Sequence, residues 1–525
     1  MITPTMKLTL ITTLLLAPLA AFAEPIRLHP QNPRVFEYRG KPLVLITATE
    51  HYGAVMNRPF RWEPYLDDLV DKRMSVSRLF VLYRELQTAV NPYSTCKPET
   101  LDYISPYPRT GPGDARDRLP KYDLDQWNSE FFERLHGFLG AAEKRGIIVE
   151  VTLLADHHKP EIWELNPQHP LNNINKTPVI QPEEYITLRH PALWERQRAF
   201  IEKIVRECNG YDNVFFEICN EPQGNFPQQG GGSVLIDERQ RATANTRPNP
   251  THQEIDEWQR AVAKVIRDTE AALPKKHLIA GQPAYLAAPP YAQFVSEGFA
   301  DDMLDIVNVH QMHRTSYGGR FYDISMFMSR QLRLRELRDL FVASAHEKKP
   351  LNMDEDNAAS RFTNLEGWTI HRKRAWTTVL SGGHYDLIDF TIQNRLETGT
   401  PEAQLAIRTW LKHLSTFVHE LDLAKARPMP QIVKTAPEHV VASVLGVEDQ
   451  EYAIYLADAR EVTDVGLGDP SHGELNVTLP DGNWQVAFIH PVTGISTDGP
   501  SIKGGEARLQ LPEFRNDLAI TVRRR

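Results

Sequence analysis

FFEICNEP, from Phe215 to Pro222, is the stretch on which the reading of this chain turns. Asp212-Asn213 lead into the apolar run and Pro222 ends it, the pattern of a central strand in a parallel sheet, where both faces are covered. In a barrel of such strands, reactive groups sit at the C-terminal tips. This tip carries an amide, Asn220, followed by a carboxyl, Glu221. A plain strand-to-loop turn is the alternative, and the rest of the chain has to decide between them.

Seven further apolar runs alternate with helical ones: LVLITA from Leu43, SVSRLFVL from Ser75, IIVEVTLL from Ile147, HLIAG from His277, IVNVH from Ile306, LNMDE from Leu351 and YDLIDF from Tyr385. Between them, the segment from Leu124 keeps Trp127, Phe131, Leu135, Phe138 and Leu139 on one helical stripe and stops at Gly146. A second amphipathic helix begins near Glu254. Eight strand signals with this alternation predict an α/β fold, a (β/α)8 TIM barrel. No glycine-rich dinucleotide or phosphate-loop pattern follows the first strand, which weighs against an open doubly wound sheet. Two connections are long, Arg84 to Lys121 and Gln223 to Pro250, the latter carrying Gly230-Gly231-Gly232. Loops of that length at the tips either shape a cleft or are disordered insertions.

From about Arg427 the texture changes to short alternating runs: VVASVLGV, YAIYLAD, LNVTLPDG, WQVAFIHP, ARLQLP and LAITVRR. These predict a small antiparallel β-sandwich, with Pro480-Asp481-Gly482 as a hairpin turn. The 525 residues fit such a division. We place a barrel over residues 24–425 and an accessory domain over 426–525. Residues 1–23 read as a secretory signal: Lys7, an apolar stretch from Leu8 to Leu19, then Ala21 and Ala23 before cleavage. That stretch is shorter than the roughly 20 residues of a membrane span. Only Cys96, Cys208 and Cys219 occur, which fits a secreted or periplasmic bacterial protein that does not depend on disulfides, although a Cys208–Cys219 bridge is open. Cys219 reads as a packed thiol rather than a nucleophile. A net charge of −9 without a basic cluster argues against nucleic acid and leaves a neutral substrate as the natural partner; the oligomeric state is open.

Glu221 suits acid/base work on a glycosidic bond, for which a second carboxyl is required. Glu355, in PLNMDEDN from Pro350, is the candidate. Strict alternation would turn Met353 and Glu355 one way and Asp354 and Asp356 the other. A solvated acidic turn is the alternative, and a calcium site would want more regularly spaced oxygens. Glu50 is a rival carboxylate. Candidate substrate contacts are His51 and Tyr52 after the first strand, Arg78 in the second, His157 and His158 after the third, and His310 and His313 after the sixth. Arg78 is either a holder of the nucleophile or a structural ion-pair member. Converging histidines would suggest zinc, but no ligand spacing of that kind occurs, so we expect neither metal nor cofactor. Trp163 is either a sugar-stacking platform or a packed loop anchor.

The ordered set SRLFV with Arg78, FFEICNEP with Asn220-Glu221, VNVH with His310 and KPLNMDE with Glu355 resembles the cellulase-like, family 5-like retaining glycoside hydrolases of clan A. That resemblance covers roughly residues 30 to 420. It implies Glu221 as acid/base, Glu355 as nucleophile, Arg78 as a contact of the nucleophile, and carbohydrate as substrate. The tyrosine usually two positions after the sixth-strand histidine is missing here, with His313 or Tyr317 as substitutes. The tail looks like the collagen-binding type of sandwich that follows many such barrels. A catalytically silent sugar-binding barrel and a transglycosylase are the competing readings. The sugar, its linkage and endo or exo action are not legible.

Overall fold

All eight apolar runs fold as parallel strands: β1 Ile46–Thr49, β2 Val76–Phe80, β3 Ile148–Ala155, β4 Val214–Asn220, β5 Ile279–Gly281, β6 Ile306–His310, β7 Leu351–Asp356 and β8 His384–Ile388. The computed structural model describes residues 24–49, 54–82, 102–157, 160–224, 250–286, 292–310, 314–324, 331–356, 365–388 and 401–525. The expected leader, Glu50, His51, Tyr52, Cys96, His158, His313 and the Gly230-Gly231-Gly232 run lie outside these residues.

The strands pair in the order β1-β8-β7-β6-β5-β4-β3-β2. Between the two end strands, the Ser75 N–H donates to the Ile46 carbonyl at 3.1 Å and the Thr47 hydroxyl to the Val76 carbonyl at 2.7 Å, bringing the edges together into a barrel. The main helices between and after the strands are α1 Trp62–Asp71, α2 Ser129–Arg145, α3 Pro191–Cys208, α4 His252–Ala271, α5 Val295–Ala300, α6 Leu334–Ala343, α7 Leu365–Leu380 and α8 Pro401–Val418, and a short helix, Pro160–Leu165, also follows β3. The stripe read from Leu124 becomes α2, which starts only at Ser129 because the Asn128 side chain caps the Glu130 N–H, and ends at Gly146 with φ +74°. Thr251 and Glu254 form a capping box at the start of α4.

An antiparallel meander, Arg27–His29, Asn32–Tyr38 and Lys41–Leu43, covers the N-terminal end of the barrel. Its Phe36 packs among Val76, Ile148, Phe215, Ala280 and Ile306, residues at or near the strand starts. Closing this end with apolar packing leaves the strand tips as the end where chemistry can occur. Among the described residues, no helix is long and apolar enough to cross a membrane.

The C-terminal region is an antiparallel sheet built on β9 Val440–Val447, β10 Glu451–Asp458, β11 Ser471–Ile489, β12 Ser496–Phe514 and β13 Asp517–Arg524, folded around its own apolar cluster. One expectation fails here. LNVTLPDG and WQVAFIHP form a single long strand, and Pro480-Asp481-Gly482 is a bulge inside it rather than a hairpin turn. Leu479 pairs with Gly505 and Asn483 with Lys503, so three residues face only Gly504. A side chain on Gly504 would meet the Pro480 carbonyl at 2.1 Å, which is why the crossing needs glycine there. Such a bulge bends a strand, and this one lets its two halves face the same core. The reversal falls at His490–Ile495, where the Gly494 N–H donates to the His490 carbonyl.

Helix α7 joins the two regions. Arg372 makes a two-pronged pair with Asp517 at 2.8 and 2.9 Å, Lys373 donates to the Asp458 carbonyl, and Trp376 stacks on Tyr455. Cys208 and Cys219 are both free and buried, so they form no bridge; burial pushes the Cys219 thiol far up, which keeps it inert.

Candidate active site

The tips of β2, β4, β6 and β7 converge on one buried polar cluster. Arg78, fully buried on β2, is its hub. Its Nε and Nη2 donate to the two Glu217 oxygens at 2.8 and 2.6 Å, Nη1 to Glu355 Oε2 at 2.7 Å and Nη2 to Asn220 Oδ1 at 2.9 Å. Asp354 Oδ2 lies 3.2 Å from Nη2. Burial disfavours the guanidinium charge, but Glu217, Asp354 and Glu355 more than offset this and hold Arg78 firmly protonated. Arg78 is thus both an ion-pair member and the group that fixes Glu355.

His310, at the tip of β6, bridges two carboxylates. Nδ1 lies 3.0 Å from Glu221 Oε1 and Nε2 lies 3.1 Å from Asp354 Oδ2. A neutral imidazole can donate from only one nitrogen, so two carboxylate partners call for the imidazolium. Burial opposes that charge, yet Asp354 and Glu355 outweigh it and raise the ring far above its ordinary value. Asp354 is shifted the other way: burial works against its ionisation, and His310 with Arg78 overcomes it to lower its pKa.

Beneath lies a second tier. Asn308 donates to Glu150 at 2.8 Å and to Asp354 at 3.0 Å, and Asn352 donates to Asn308. Thr152 donates to Glu217 at 2.5 Å. Burial, reinforced by Glu217 and Asp354, pushes the Glu150 carboxyl well above the usual carboxylate range.

Glu221 and Glu355 face each other at the top of this cluster, each only 4% exposed. With His310 they form a group in which one oxygen of each carboxylate and one ring nitrogen lie within 4.8 Å of one another. Glu221 sits at φ +49°, a left-handed conformation that costs a residue with a Cβ about 1–3 kcal/mol. Its N–H is held by Gln282 Oε1 at 2.9 Å.

The alternation expected along β7 does not hold. Asn308 pairs with Asn352 but His310 pairs with Glu355, so β7 carries an extra residue at its tip. This bulge turns Asp354 and Glu355 both to Arg78, while Asp356 bonds Arg374 and Tyr385 instead. All three acids are buried, which removes the solvated-turn reading.

Trp163, a candidate sugar platform, is 1% exposed and packs against His157, His169 and Tyr185, so it anchors the loop and has no free face. His157 belongs to the same loop core, with Nε2 bonded to Asn166. Tyr317, offered as a stand-in for the missing tyrosine, donates to Glu347 ahead of β7, far along the strand from Glu355. Of the sequence-derived contacts, Arg78, Asn220 and His310 join the carboxyl pair. His51, Tyr52, His158 and His313 are outside the described residues.

Two ligand-like groups occur among the described residues, Glu217-His310-Asp354 and Glu221-His310-Glu355. Neither suits a metal, because Arg78 and the charged His310 already neutralise the same carboxylates. His157 is in neither group, and His158 and His313 lie outside the described residues. Sequence reading missed Glu150, Glu217, Asp354, Asn308 and Gln282 as parts of the site. A signal existed for two of them: a carboxyl inside the fully buried runs IIVEVTLL and FFEI must find a partner.

The fold and site define a (β/α)8 barrel with a polar cluster at its strand tips. Residues 101–225 match a family model described as a domain of unknown function, DUF6298. Among solved structures, the chain is similar to a family 5 glycoside hydrolase from Bacteroides vulgatus, at 13% identity and a TM-score of 0.59 over 95% of this chain and 93% of that one. It is also similar to a protein described as a glycoside hydrolase, at 11% identity and a TM-score of 0.57 over 95% and 97%. At such identities the likeness shows the shared fold. No protein of curated function matches the sequence.

Proposed function

We propose that the protein is a retaining glycoside hydrolase acting on a poly- or oligosaccharide, with Glu355 as nucleophile and Glu221 as acid/base. One observation carries the reading: one carboxylate oxygen of Glu221 lies within 4.8 Å of one of Glu355, at the tips of β4 and β7. Retaining enzymes need their two carboxyl groups about 5 to 5.5 Å apart, whereas inverting enzymes leave roughly 6.5 Å or more for a water.

Arg78 donates to Glu355 Oε2 and favours the ionised carboxylate, which attacks the anomeric carbon. Glu221, whose Oε1 lies 3.0 Å from His310 Nδ1, carries the acid proton to the leaving group. The negative charge on Glu355 favours that proton, against the pull of the charged His310, until attack discharges it. Glu221, then ionised, draws a proton from water, which displaces the sugar from Glu355 with retained configuration. Arg78, Asn220 and His310 position these groups, and no cofactor enters the scheme.

The test is product formation from a panel of polysaccharides and aryl glycosides by wild type, Glu221→Gln and Glu355→Gln. The expected outcome is cleavage of at least one substrate by wild type and a loss of about 10³-fold or more in each variant. A silent wild type that binds one of the glycans would replace this reading with a sugar-binding barrel.

A further inference from the structure

We propose that Gln282, at the tip of β5, is a positioning residue that holds the acid/base carboxyl of Glu221 in place by clamping its backbone; this rests on the hydrolase reading above. Glu221 is the residue after β4, and its φ of +49° turns the chain sharply between Asn220 and Pro222. Side chains rarely adopt that conformation unless their surroundings impose it. The group that imposes it here is identifiable. Gln282 Oε1 accepts the Glu221 N–H at 2.9 Å. Because a backbone N–H can only donate, the amide of Gln282 must present its oxygen to Glu221.

The clamp is itself fixed. Gln282 is completely buried. Its own carbonyl accepts from Gln259 Nε2 at 2.9 Å, and the same nitrogen donates to Asp256 Oδ1 at 2.9 Å. Asp256 Oδ1 also accepts the Ala284 N–H at 3.0 Å. Two side chains of α4 thus pin residues 282–284, and Gln282 passes that rigidity to the neighbouring strand tip. Gln282 Nε2, by contrast, is buried with no hydrogen-bond partner. A buried amide with one end unsatisfied is costly, and a residue serving only to fill space would do better as a hydrocarbon. What the amide supplies is an acceptor for the Glu221 N–H.

The functional consequence follows from how Glu221 is held at its other end. Its carboxyl reaches His310 across 3.0 Å, and a tip free to relax toward an ordinary backbone conformation would swing the carboxyl off that contact and off the leaving-group oxygen. Nothing in the clamp touches Glu355 among the contacts described, so attack on the anomeric carbon should be spared. Loss of the clamp therefore weakens proton donation selectively.

The variant to make is Gln282→Met, which keeps the reach of the side chain and removes the acceptor. On an oligosaccharide, whose leaving group needs a proton, kcat should fall about tenfold or more with KM within about twofold. On the 2,4-dinitrophenyl glycoside of the same sugar, whose leaving group needs no proton, the first-turnover burst should match wild type. Thermal unfolding is followed alongside, and if Gln282→Met does not fold, Gln282→Asn, one methylene too short, replaces it with the same expected split. Equal losses on both substrates, or none on either, would overturn the clamp while leaving the hydrolase reading intact. A wild type silent on every glycoside would remove the hydrolase reading and the clamp's role in proton donation with it.

Discussion

Arg78 shows how one residue can join structure to chemistry. Its guanidinium meets Glu217, Asn220, Asp354 and Glu355 in a fixed fork that a lysine ammonium cannot reproduce. Removing one partner of a buried ion pair typically costs about 3–5 kcal/mol, because the others are left uncompensated. Arg78→Lys should therefore lose about 3 kcal/mol in urea unfolding; a change below about 0.5 kcal/mol would mean that Arg78 is not the hub. The residue was legible as a cation in an apolar strand, and Glu221, Glu355 and His310 were legible as polar tips. Asp354 was not, because alternation assumes a regular strand and the bulge in β7 breaks it exactly where the chemistry gathers; Trp163 misled because an aromatic beside polar residues looks the same whether packed or exposed.

At the scale of elements, the period of the sequence was the stronger guide. Eight apolar runs became eight strands, since strands covered on both faces read as near-continuous apolar runs. The failure at Pro480-Asp481-Gly482 has the same origin as that at Asp354: turn residues signal a departure from regular pairing, and a bulge or a reversal satisfies it equally well. Helix α7 was legible least, because its cations look like a solvated face. Arg372, Lys373 and Arg374 are all buried, and Arg372 depends on Asp517 of β13. Asp517→Asn should lower stability by about 3 kcal/mol and reduce the unfolding temperature accordingly. An unfolding temperature within a degree of wild type would show that the barrel and the C-terminal sheet do not rely on this pair.

The molecule as a whole carries a pH limit. Burial depresses His169 and His384 to about 3 and His371 to about 4. A histidine with a folded pKa below its unfolded value of about 6.5 contributes no penalty above that pH. Below it the unfolded chain takes up the proton first, so stability falls as pH drops from 6.5 toward 4 or 3. At pH 5 each group costs about 2 kcal/mol. Asp256, raised to about 6 by burial, acts in the opposite direction, as do Glu150, Glu217 and His310, whose folded forms hold their protons, while His419, lowered by burial, adds to the histidine side. Calorimetry should find a lower unfolding temperature at pH 5 than at pH 7, and an equal or higher one would contradict this balance.

The barrel, the carboxyl pair and the clamp around Glu221 together make one claim, that cleavage passes through a covalent sugar on Glu355. The most direct test is proton NMR of the anomeric configuration of the first product formed from the best substrate of the panel. The account predicts that the product keeps the configuration of the bond that was cut. An inverted first product would contradict it, since a single displacement by water needs more room than is left between carboxyl groups that each bring an oxygen within 4.8 Å of the other.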